Sequence, residues 1–251
     1  MAELIYTLIC THLTIMCFSL YIHRGQAHGS IIFHPILSHL MRAWIWLTSG
    51  VHVKTWRLLH RKHHKFADKE GDPHSPQIHG LGTLIFKGAI LYFKSIRPHR
   101  GLSINLRHHF NNKHKIAQKL GITLEEDWIE RNVYTPYPWV GLLVMLIINA
   151  LIFGWWGFAI WFVQLMLIPF FTTALINGVS HYAGYRNWNT DDCSHNLSPI
   201  GIIMCGEEMH NNHHKYPRKF KLSHKWWEFD LGYVWFKLFN IVGLAKLGYT
   251  E

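Results

Sequence analysis

Apolar residues are concentrated in two long stretches of the chain. In the second of them, from Pro138 to Ser180, 43 consecutive residues include no Asp, Glu, Lys or Arg. A membrane-spanning helix needs only about 20 apolar residues. Near the middle of this run lies the sequence GWWG at 154–157, and aromatic residues are typical of a turn at a membrane surface. The pattern therefore predicts a hairpin of two spanning helices, over about 138–157 and 158–180.

The first apolar stretch runs from Leu4 to Ile22 and is interrupted only by mildly polar residues. No basic residue precedes it, and it ends in His23-Arg24 rather than in the small residues of a signal-peptide cleavage site. We therefore predict a retained spanning helix over about 4–22. A buried helix of a soluble protein is the alternative for this segment.

Two further segments are less strongly apolar. Residues 31–53 include Pro35, Arg42 and three histidines, and a charged residue at membrane depth is costly. Residues 84–97 mix apolar residues with three basic ones. We predict an interfacial helix for each segment. The alternatives are a true span for 31–53 and an ordinary amphipathic helix, packed on a cytoplasmic domain, for 84–97.

The basic residues are distributed in a way that indicates topology. The chain has 25 Lys and Arg against 15 Asp and Glu. Of the basic residues, 17 lie between His23 and Tyr137 and eight follow His181, outside all three predicted spans. Segments beside membrane helices carry such an excess when they face the cytoplasm. The charge therefore favours a cytoplasmic location for 23–137 and 181–251 and contact with anionic lipid, rather than nucleic-acid binding.

Histidines recur in four groups on the predicted cytoplasmic side. The segments LHRKHH at 59–64 and MHNNHH at 209–214 repeat the spacing i, i+3, i+4, which places imidazoles on one face of a helix. Adjacent histidines diverge by about a quarter turn, so one triplet can serve two metal ions. The other two groups follow the first and the last predicted spans. The four groups contain His23, His28, His60, His63, His64, His181, His210, His213 and His214.

Several neutral imidazoles held together form a strong site for a transition metal, and a two-metal centre is the simplest interpretation. Spacing alone leaves zinc, copper, nickel and iron open. The HExxH motif of zinc hydrolases is absent, although Glu207 and Glu208 precede His210 and could hold the other ring nitrogen of a ligand. His74 is a further candidate for supporting a ligand.

Seven other histidines are predicted to have no ligand role. Three of them lie in a strongly polar stretch, RHHFNNKHK, and are predicted to be solvated: His108, His109 and His114. Four lie in apolar segments, where packed or interfacial histidines are expected: His12, His34, His39 and His52.

The order and spacing of these motifs resemble the integral-membrane fatty-acid desaturases, in particular the acyl-CoA delta-9 desaturases and their shorter bacterial relatives. The resemblance extends over most of residues 23–217. It is carried by HRGQAH at 23–28, HRKHHKF at 60–66, DPHSP at 72–76, NGVSHYAGYRNW at 177–188 and GEEMHNNHHKYP at 206–217.

The resemblance implies an all-α integral membrane protein, a single domain over 1–251, whose cytoplasmic helical cap carries a non-haem di-iron site. The nine histidines are then the ligands, and Asn177 reaches one iron through water. Candidates for supporting the ligands are Glu207, His74, Asp72 and Trp56. Such an enzyme uses dioxygen and two electrons to insert a cis double bond into a long fatty acyl chain.

The resemblance also implies partners. No haem- or flavin-binding domain fits in the remaining sequence, so we expect ferredoxin or a small cytochrome, with its reductase, as the electron donor. The expected location is a bacterial inner membrane. Only 22 residues precede His23, which suits one helix where the animal enzymes have two. Leu59 replaces an Asp that is common in animal acyl-CoA desaturases, so the acyl carrier stays open between CoA, carrier protein and lipid.

Three alternatives remain at this point. A related di-iron hydroxylase or an acetylenase would share the ligands and differ in the product. A non-catalytic metal-binding or transport protein would place ionisable ligands within the spans. Because eight of the nine proposed ligands lie outside the predicted spans, transport is disfavoured.

Overall fold

The chain forms a bundle of helices with a few short strands. The computed structural model describes residues 1–96 and 127–248. Within these ranges the helices are α1 Ala2–Ala27, α2 Pro35–Ser49, α3 Val53–Phe66, α4 Pro76–His79, α5 Leu81–Ile96, α6 Pro138–Phe153, α7 Trp156–His181, α8 His210–Lys215 and α9 Leu231–Ile241. A π-helical segment, Glu130–Tyr134, precedes α6. The strands are β1 Ile31–Phe33, β2 Ile200–Gly201, β3 Phe229–Asp230 and β4 Ala245–Leu247.

The predicted helical class is confirmed in that the described chain is mostly helical, but the strands depart from an all-α protein. β1 pairs antiparallel with β4, with Ile31 opposite Leu247. β2 and β3 form a short parallel pair. The prediction of one helix over 31–53 is wrong at its start. The helix there begins at Pro35, whose fixed φ suits a first helical turn, and ends at Ser49, followed by Gly50 with a φ of +58°.

Two helices, α1 and α7, are long and apolar enough to cross a membrane. Each has 26 residues, which corresponds to about 39 Å of helix. The helix α6 is also apolar but shorter, with 16 residues. It forms a hairpin with α7 through Gly154, which has a φ of +56°. The helical hairpin predicted from the apolar run is therefore present, with its turn at 154–155.

The hairpin of α6 and α7 is closely packed because small and polar residues meet between the helices. A side chain at Gly157 would overlap the backbone of Asn149. The amide of Asn149 donates to Gln164 Oε1 at 3.2 Å, and the indole of Trp161 donates to the Leu142 carbonyl at 2.9 Å. Polar side chains thus hydrogen-bond between the two helices within an apolar surface.

Both long helices widen to π geometry near the end that carries histidines. The π segments are Phe18–Ala27 in α1 and Phe170–Gly178 in α7. Such turns are rare and are frequent at functional sites. The first contains His23 and the second contains Asn177, so the widened ends mark the part of the bundle where the candidate ligands lie.

Helix α2 runs away from the histidine-bearing end of α1, and α3 runs back towards it. α2 runs antiparallel to α1: the ring of Phe33, just before α2, lies 6.4 Å from that of Tyr21, and Trp44 Nε1 donates to Thr14 Oγ1 at 3.0 Å. α3 then returns, and its His60 ring lies 4.5 Å from the ring of His23. His23 and His60 therefore lie at the same end of the bundle.

The C-terminal part packs along α1. The indole of Trp235, in α9, donates to His12 Nε2 at 3.3 Å, and Phe236 belongs to the apolar core around α1. The buried guanidinium of Arg24 donates to Asp230 at 2.9 and 3.1 Å and to the Phe220 carbonyl at 2.8 Å. This ion pair joins the histidine-bearing end of α1 to the residue that caps α9.

Candidate metal centre

Nine buried or half-buried histidines at one end of the bundle form two adjacent groups. Within each group, one ligand atom from every residue lies within 4.8 Å of the others. The five-histidine group is His23, His28, His60, His64 and His213. The four-histidine group is His63, His181, His210 and His214. The structure therefore brings together all nine histidines that the sequence pattern selected.

Each HxxHH triplet is divided between the two groups. On α3, His60 and His64 face the five-histidine group, and His63 faces the other. On α8 the division is reversed, since His213 alone joins the five-histidine group. A helix turns about 100° per residue, so neighbouring histidines point into different groups. The two triplets are thus complementary halves of one centre.

The Nε2 atoms of the histidines face one another across each group. In the five-histidine group the distances between neighbouring Nε2 atoms are 3.0 Å for His23–His213, 2.8 Å for His213–His64, 3.0 Å for His64–His60 and 2.8 Å for His60–His28. In the four-histidine group they are 3.2 Å for His63–His214, 3.1 Å for His214–His210 and 3.0 Å for His210–His181.

Carboxylates hold the opposite ring nitrogen, Nδ1, of three members of the four-histidine group. These contacts fix the rings and select the tautomer with hydrogen on Nδ1. The pairs are His63 with Asp72 at 2.9 Å, His181 with Asp68 at 2.7 Å and His214 with Asp192 at 2.8 Å.

This arrangement fits a bound cation. A neutral imidazole has only one N–H group. Because Nδ1 of His63 and of His214 donates to a carboxylate, the Nε2 atom of each carries a lone pair, and these two atoms lie 3.2 Å apart. Two lone pairs at this distance repel each other unless a positive ion lies between them. The donor set is therefore suited to metal ions at the points where the Nε2 atoms converge.

Burial keeps the imidazoles neutral. Burial, followed by the charges of neighbouring histidines, holds the pKa of His60, His64, His210 and His213 well below the ordinary value of 6.5. Burial also lowers the pKa of His214 to about 4. At neutral pH each of these rings has a lone pair available for a metal ion.

Sequence reasoning missed two of the three carboxylates, Asp68 and Asp192, and selected Asp72. Burial opposes ionisation of Asp72, yet the hydrogen bonds that it accepts from His63 and from the backbone amide of His74 hold the carboxyl pKa well below its ordinary value. Asp192 reaches His214 from a different segment, so no spacing rule indicates it. Acidic residues are few beside the histidine motifs, and this scarcity could have identified Asp68 and Asp192 as candidates.

The two glutamates before α8 have different roles. Glu207 Oε2 lies 2.7 Å from Nδ1 of His23, and Glu207 Oε1 accepts a hydrogen bond from Ser19 at 2.6 Å. Glu208 contacts no histidine among the described residues. It accepts from the backbone amides of Met204 and Gly206, at 2.8 and 3.1 Å, and so holds the loop before α8.

The remaining candidates lie around the ligands. Trp56 stacks on His60, with ring centroids 4.8 Å apart and an interplanar angle of 9°. The ring of His74 lies 4.7 Å from that of His63. Asn177 donates to the Thr172 carbonyl at 2.7 Å and lines a pocket beside the centre. His12, His34, His39 and His52 belong to neither group. His108, His109 and His114 lie outside the described residues.

Comparison with known proteins decides the family. A family model described as fatty acid desaturase matches residues 1–237. The chain belongs to the fatty acid desaturase family. The resemblance drawn from the histidine motifs is thereby confirmed, and the homologues are named as enzymes.

Individual relatives of this desaturase-family chain act on acyl groups. A hex-5-enoyl-[acyl-carrier protein] acetylenase of Moorena producens is 31% identical over 244 residues, covering 94% of this chain and 72% of that protein. A delta-9 acyl-lipid desaturase 2 of Arabidopsis thaliana is 28% identical, covering 89% and 67%. An sn-1 stearoyl-lipid 9-desaturase of Synechocystis is 29% identical, covering 92% and 70%.

An apolar pocket of this desaturase-family protein adjoins the histidines. Its wall comes mainly from α1 and α7, with Ile15, Phe18, Ile168 and Phe171. Its polar end is formed by His23, His60, His210 and Asn177, among others. We call it the apolar pocket.

Replacing Asp192 by asparagine should weaken metal binding by about ten- to a hundredfold. An asparagine NH₂ group facing Nδ1 of His214 would favour the tautomer with hydrogen on Nε2, which removes the lone pair from the ion. Metal affinity is measured by competition with a chelator. The exposed neighbour Asp191, changed to asparagine, is the matched control. Equal affinities of the two variants would contradict the role of Asp192.

Proposed function

We propose that the protein is a di-iron, dioxygen-dependent desaturase that inserts a cis double bond into a long fatty acyl chain. The family and its named desaturases support an acyl desaturase. One observation supports the metal centre. The Nε2 lone pairs of the histidines converge, and carboxylates hold the Nδ1 atoms of the same rings. All nine histidines, with Asn177 through water, are proposed as ligands.

The number and spacing of the nitrogens favour iron over zinc. Zinc sites usually have four ligands in a tetrahedron, whereas one group here offers five imidazoles. Two nitrogens about 2.1 Å from one ion lie about 3.0 Å apart at a right angle and about 3.4 Å apart at the tetrahedral angle. Neighbouring Nε2 atoms lie 2.8–3.2 Å apart, which supports near-right angles and an ion with more than four positions.

The reaction requires an external source of electrons. One –CH₂–CH₂– unit, one dioxygen molecule, two electrons and two protons give one –CH=CH– unit and two water molecules. A bound pair of iron ions supplies the activation of dioxygen, which the side chains of the protein cannot. The histidines hold the ions, and the carboxylates keep the rings in the tautomer that can bind them.

The apolar pocket is proposed to bind the acyl chain. It is lined by Ile15, Phe18, Ile168 and Phe171, and its polar end contains three of the histidines. Apolar walls stabilise a hydrocarbon chain by burial and exclude water from the bond to be oxidised. Holding the chain against the centre also removes the entropic cost of bringing the reactants together.

The carrier and the electron donor belong to the same proposal. The relatives are named for acyl-carrier-protein and acyl-lipid substrates, which supports an acyl group on a carrier protein or a lipid, with acyl-CoA as a further carrier to test. We propose ferredoxin or a small cytochrome, with its reductase, as the donor.

We further propose a single-domain, multi-pass protein of a bacterial inner membrane. In this arrangement α1, α6 and α7 span the bilayer, α2 and α5 lie towards its interface, and the histidine centre faces the cytoplasm. The lengths of α1 and α7 and the placement of all Lys and Arg outside the predicted spans support it. The packing of the C-terminal helix α9 along α1 supports one domain.

The proposal is tested by expressing the full chain in a bacterium with ferredoxin and its reductase and analysing total fatty acids by mass spectrometry. A saturated chain should lose two mass units. A gain of sixteen would instead identify a hydroxylase. Iron-loaded protein that is reduced by the donor but forms no new unsaturated species would contradict the proposal.

An acetylenase is the second candidate, because one relative carries that name. It would remove two hydrogens from a chain that already has a double bond. Supplying matched saturated and monounsaturated chains separates the two activities. We expect the saturated chain to be the better substrate.

A further inference from the structure

A second pocket adjoins the centre and is basic. It is open to solvent and is lined by two histidines of the five-histidine group and three cationic side chains, namely His28, His64, Arg61, Lys65 and Arg218. No carboxylate is found among the described residues that line it. We call it the basic pocket.

Positive charge is concentrated in the basic pocket. The guanidinium groups of Arg61 and Arg218 line this pocket together with the ammonium group of Lys65. Arg61 is fixed in place because its Nε donates to the Ala27 carbonyl at 2.7 Å. Cationic side chains that line one open pocket attract an anionic surface.

The basic pocket and the apolar pocket contact different parts of the centre. The apolar pocket contacts His23, His60 and His210, whereas the basic pocket contacts His28 and His64. Among the described residues, no side chain lines both. The proposed substrate therefore approaches the centre from one side, and the basic pocket leaves two histidines accessible on another.

A third, smaller pocket shows where the substrate space continues. It shares Trp56, His60 and Asn177 with the apolar pocket and extends towards Gly88 in α5. Neither of these two pockets shares a described residue with the basic pocket. This separation argues against the basic pocket as an extension of the acyl site.

We propose that the basic pocket is the docking site of an acidic one-electron redox protein, which passes electrons to the centre at His28 and His64. The inference rests on the proposed function, because only an oxidase of this kind needs electrons from outside. Two reduced donor molecules each lose one electron for every double bond formed. Electron transfer slows steeply with distance, so contact at two of the proposed ligands suits this role.

The test measures binding of an acidic [2Fe–2S] ferredoxin to the iron-loaded full chain in detergent. Lys65→Glu reverses an exposed charge of the basic pocket, and Lys237→Glu makes the same change on an exposed residue of α9, outside the pocket. At low salt, Lys65→Glu should weaken binding by about tenfold, mainly through slower association, and Lys237→Glu by less than about twofold. The difference between the variants should shrink at high salt.

Stopped-flow reduction gives a second measurement. The rate constant for reduction by ferredoxin is divided by that for a small uncharged reductant, so that altered iron loading cancels. Lys65→Glu should lower this ratio by about tenfold and leave the KM for the acyl substrate unchanged. A merely structural role of Lys65 would change both rate constants alike.

Three results would overturn the docking site. The first is equal ferredoxin binding by Lys65→Glu and Lys237→Glu. The second is a raised KM for the acyl substrate in Lys65→Glu with an unchanged ferredoxin ratio, which would assign the pocket to a phosphate of the acyl carrier. The third is no binding by the wild type to ferredoxin or to a small acidic cytochrome. If the wild type were reduced by ferredoxin but formed no product, the result would contradict the proposed desaturase activity and not the docking site.

Discussion

His213→Ala should reduce formation of the unsaturated product by at least about 1,000-fold. The Nε2 atom of His213 lies 3.0 Å from that of His23 on α1 and 2.8 Å from that of His64 on α3, so it lies between the histidines of these two helices in the five-histidine group. Loss of a residue that only supports a ligand costs about ten- to a hundredfold, and loss of the ligand itself should cost more. Iron per chain and fatty-acid products are measured on the same preparation.

The matched control is His34→Ala. His34 is exposed and belongs to neither histidine group, so both iron content and product should stay within about twofold of the wild type. Full activity of His213→Ala would refute the assignment of the five-histidine group. Equal loss in both variants would show that the division of the histidines is wrong.

Arg24→Met should lower the free energy of unfolding by about 3–5 kcal/mol, because it leaves the buried carboxylate of Asp230 without its charged partner. For a chain of this size that corresponds to a fall in the unfolding midpoint of roughly 6–20 °C. Arg24 also lies 3.7 Å from Glu207, which contacts His23. We therefore expect weaker metal binding as well. Thermal unfolding in detergent and iron content provide the measurements.

Two further variants separate the ion pair from a general effect of substitution. Lys246→Met changes an exposed residue of the last strand and should leave the midpoint within about 3 °C. Arg24→Met combined with Asp230→Asn removes both charges and should recover part of the lost stability, because no buried charge is then unpaired. An unchanged midpoint for Arg24→Met alone would contradict the role of the pair.

Local residue patterns predicted much of the helical structure and the histidine centre. The apolar run 138–180 predicted the hairpin of α6 and α7, because the apolar character of a helix depends on residues that are close together in the sequence. The HxxHH spacing predicted that His63 and His64 diverge and that one triplet can serve two metal ions, because the turn of a helix per residue is constant. These inferences needed no knowledge of distant contacts.

Contacts between distant segments were not predictable in the same way. β1 forms because Ile31–Phe33 meets the strand Ala245–Leu247 from the other end of the chain. Asp192 holds His214 from a loop that precedes α8 by about 20 residues, and Asp68 holds His181 across more than 100 residues. No short-range period encodes such pairs, since each depends on how helices pack.

The sequence by itself determined which histidines gather, that adjacent histidines of each triplet diverge, and to which family the chain belongs, because ligand spacing on a helix is a local property. Only the tertiary structure decided which carboxylates select the histidine tautomers, and that the apolar and basic pockets meet different histidines of the centre. Those features arise where α1, α3, α7 and α8 converge, and the burial and charge of each side chain there depend on neighbours far away in the sequence.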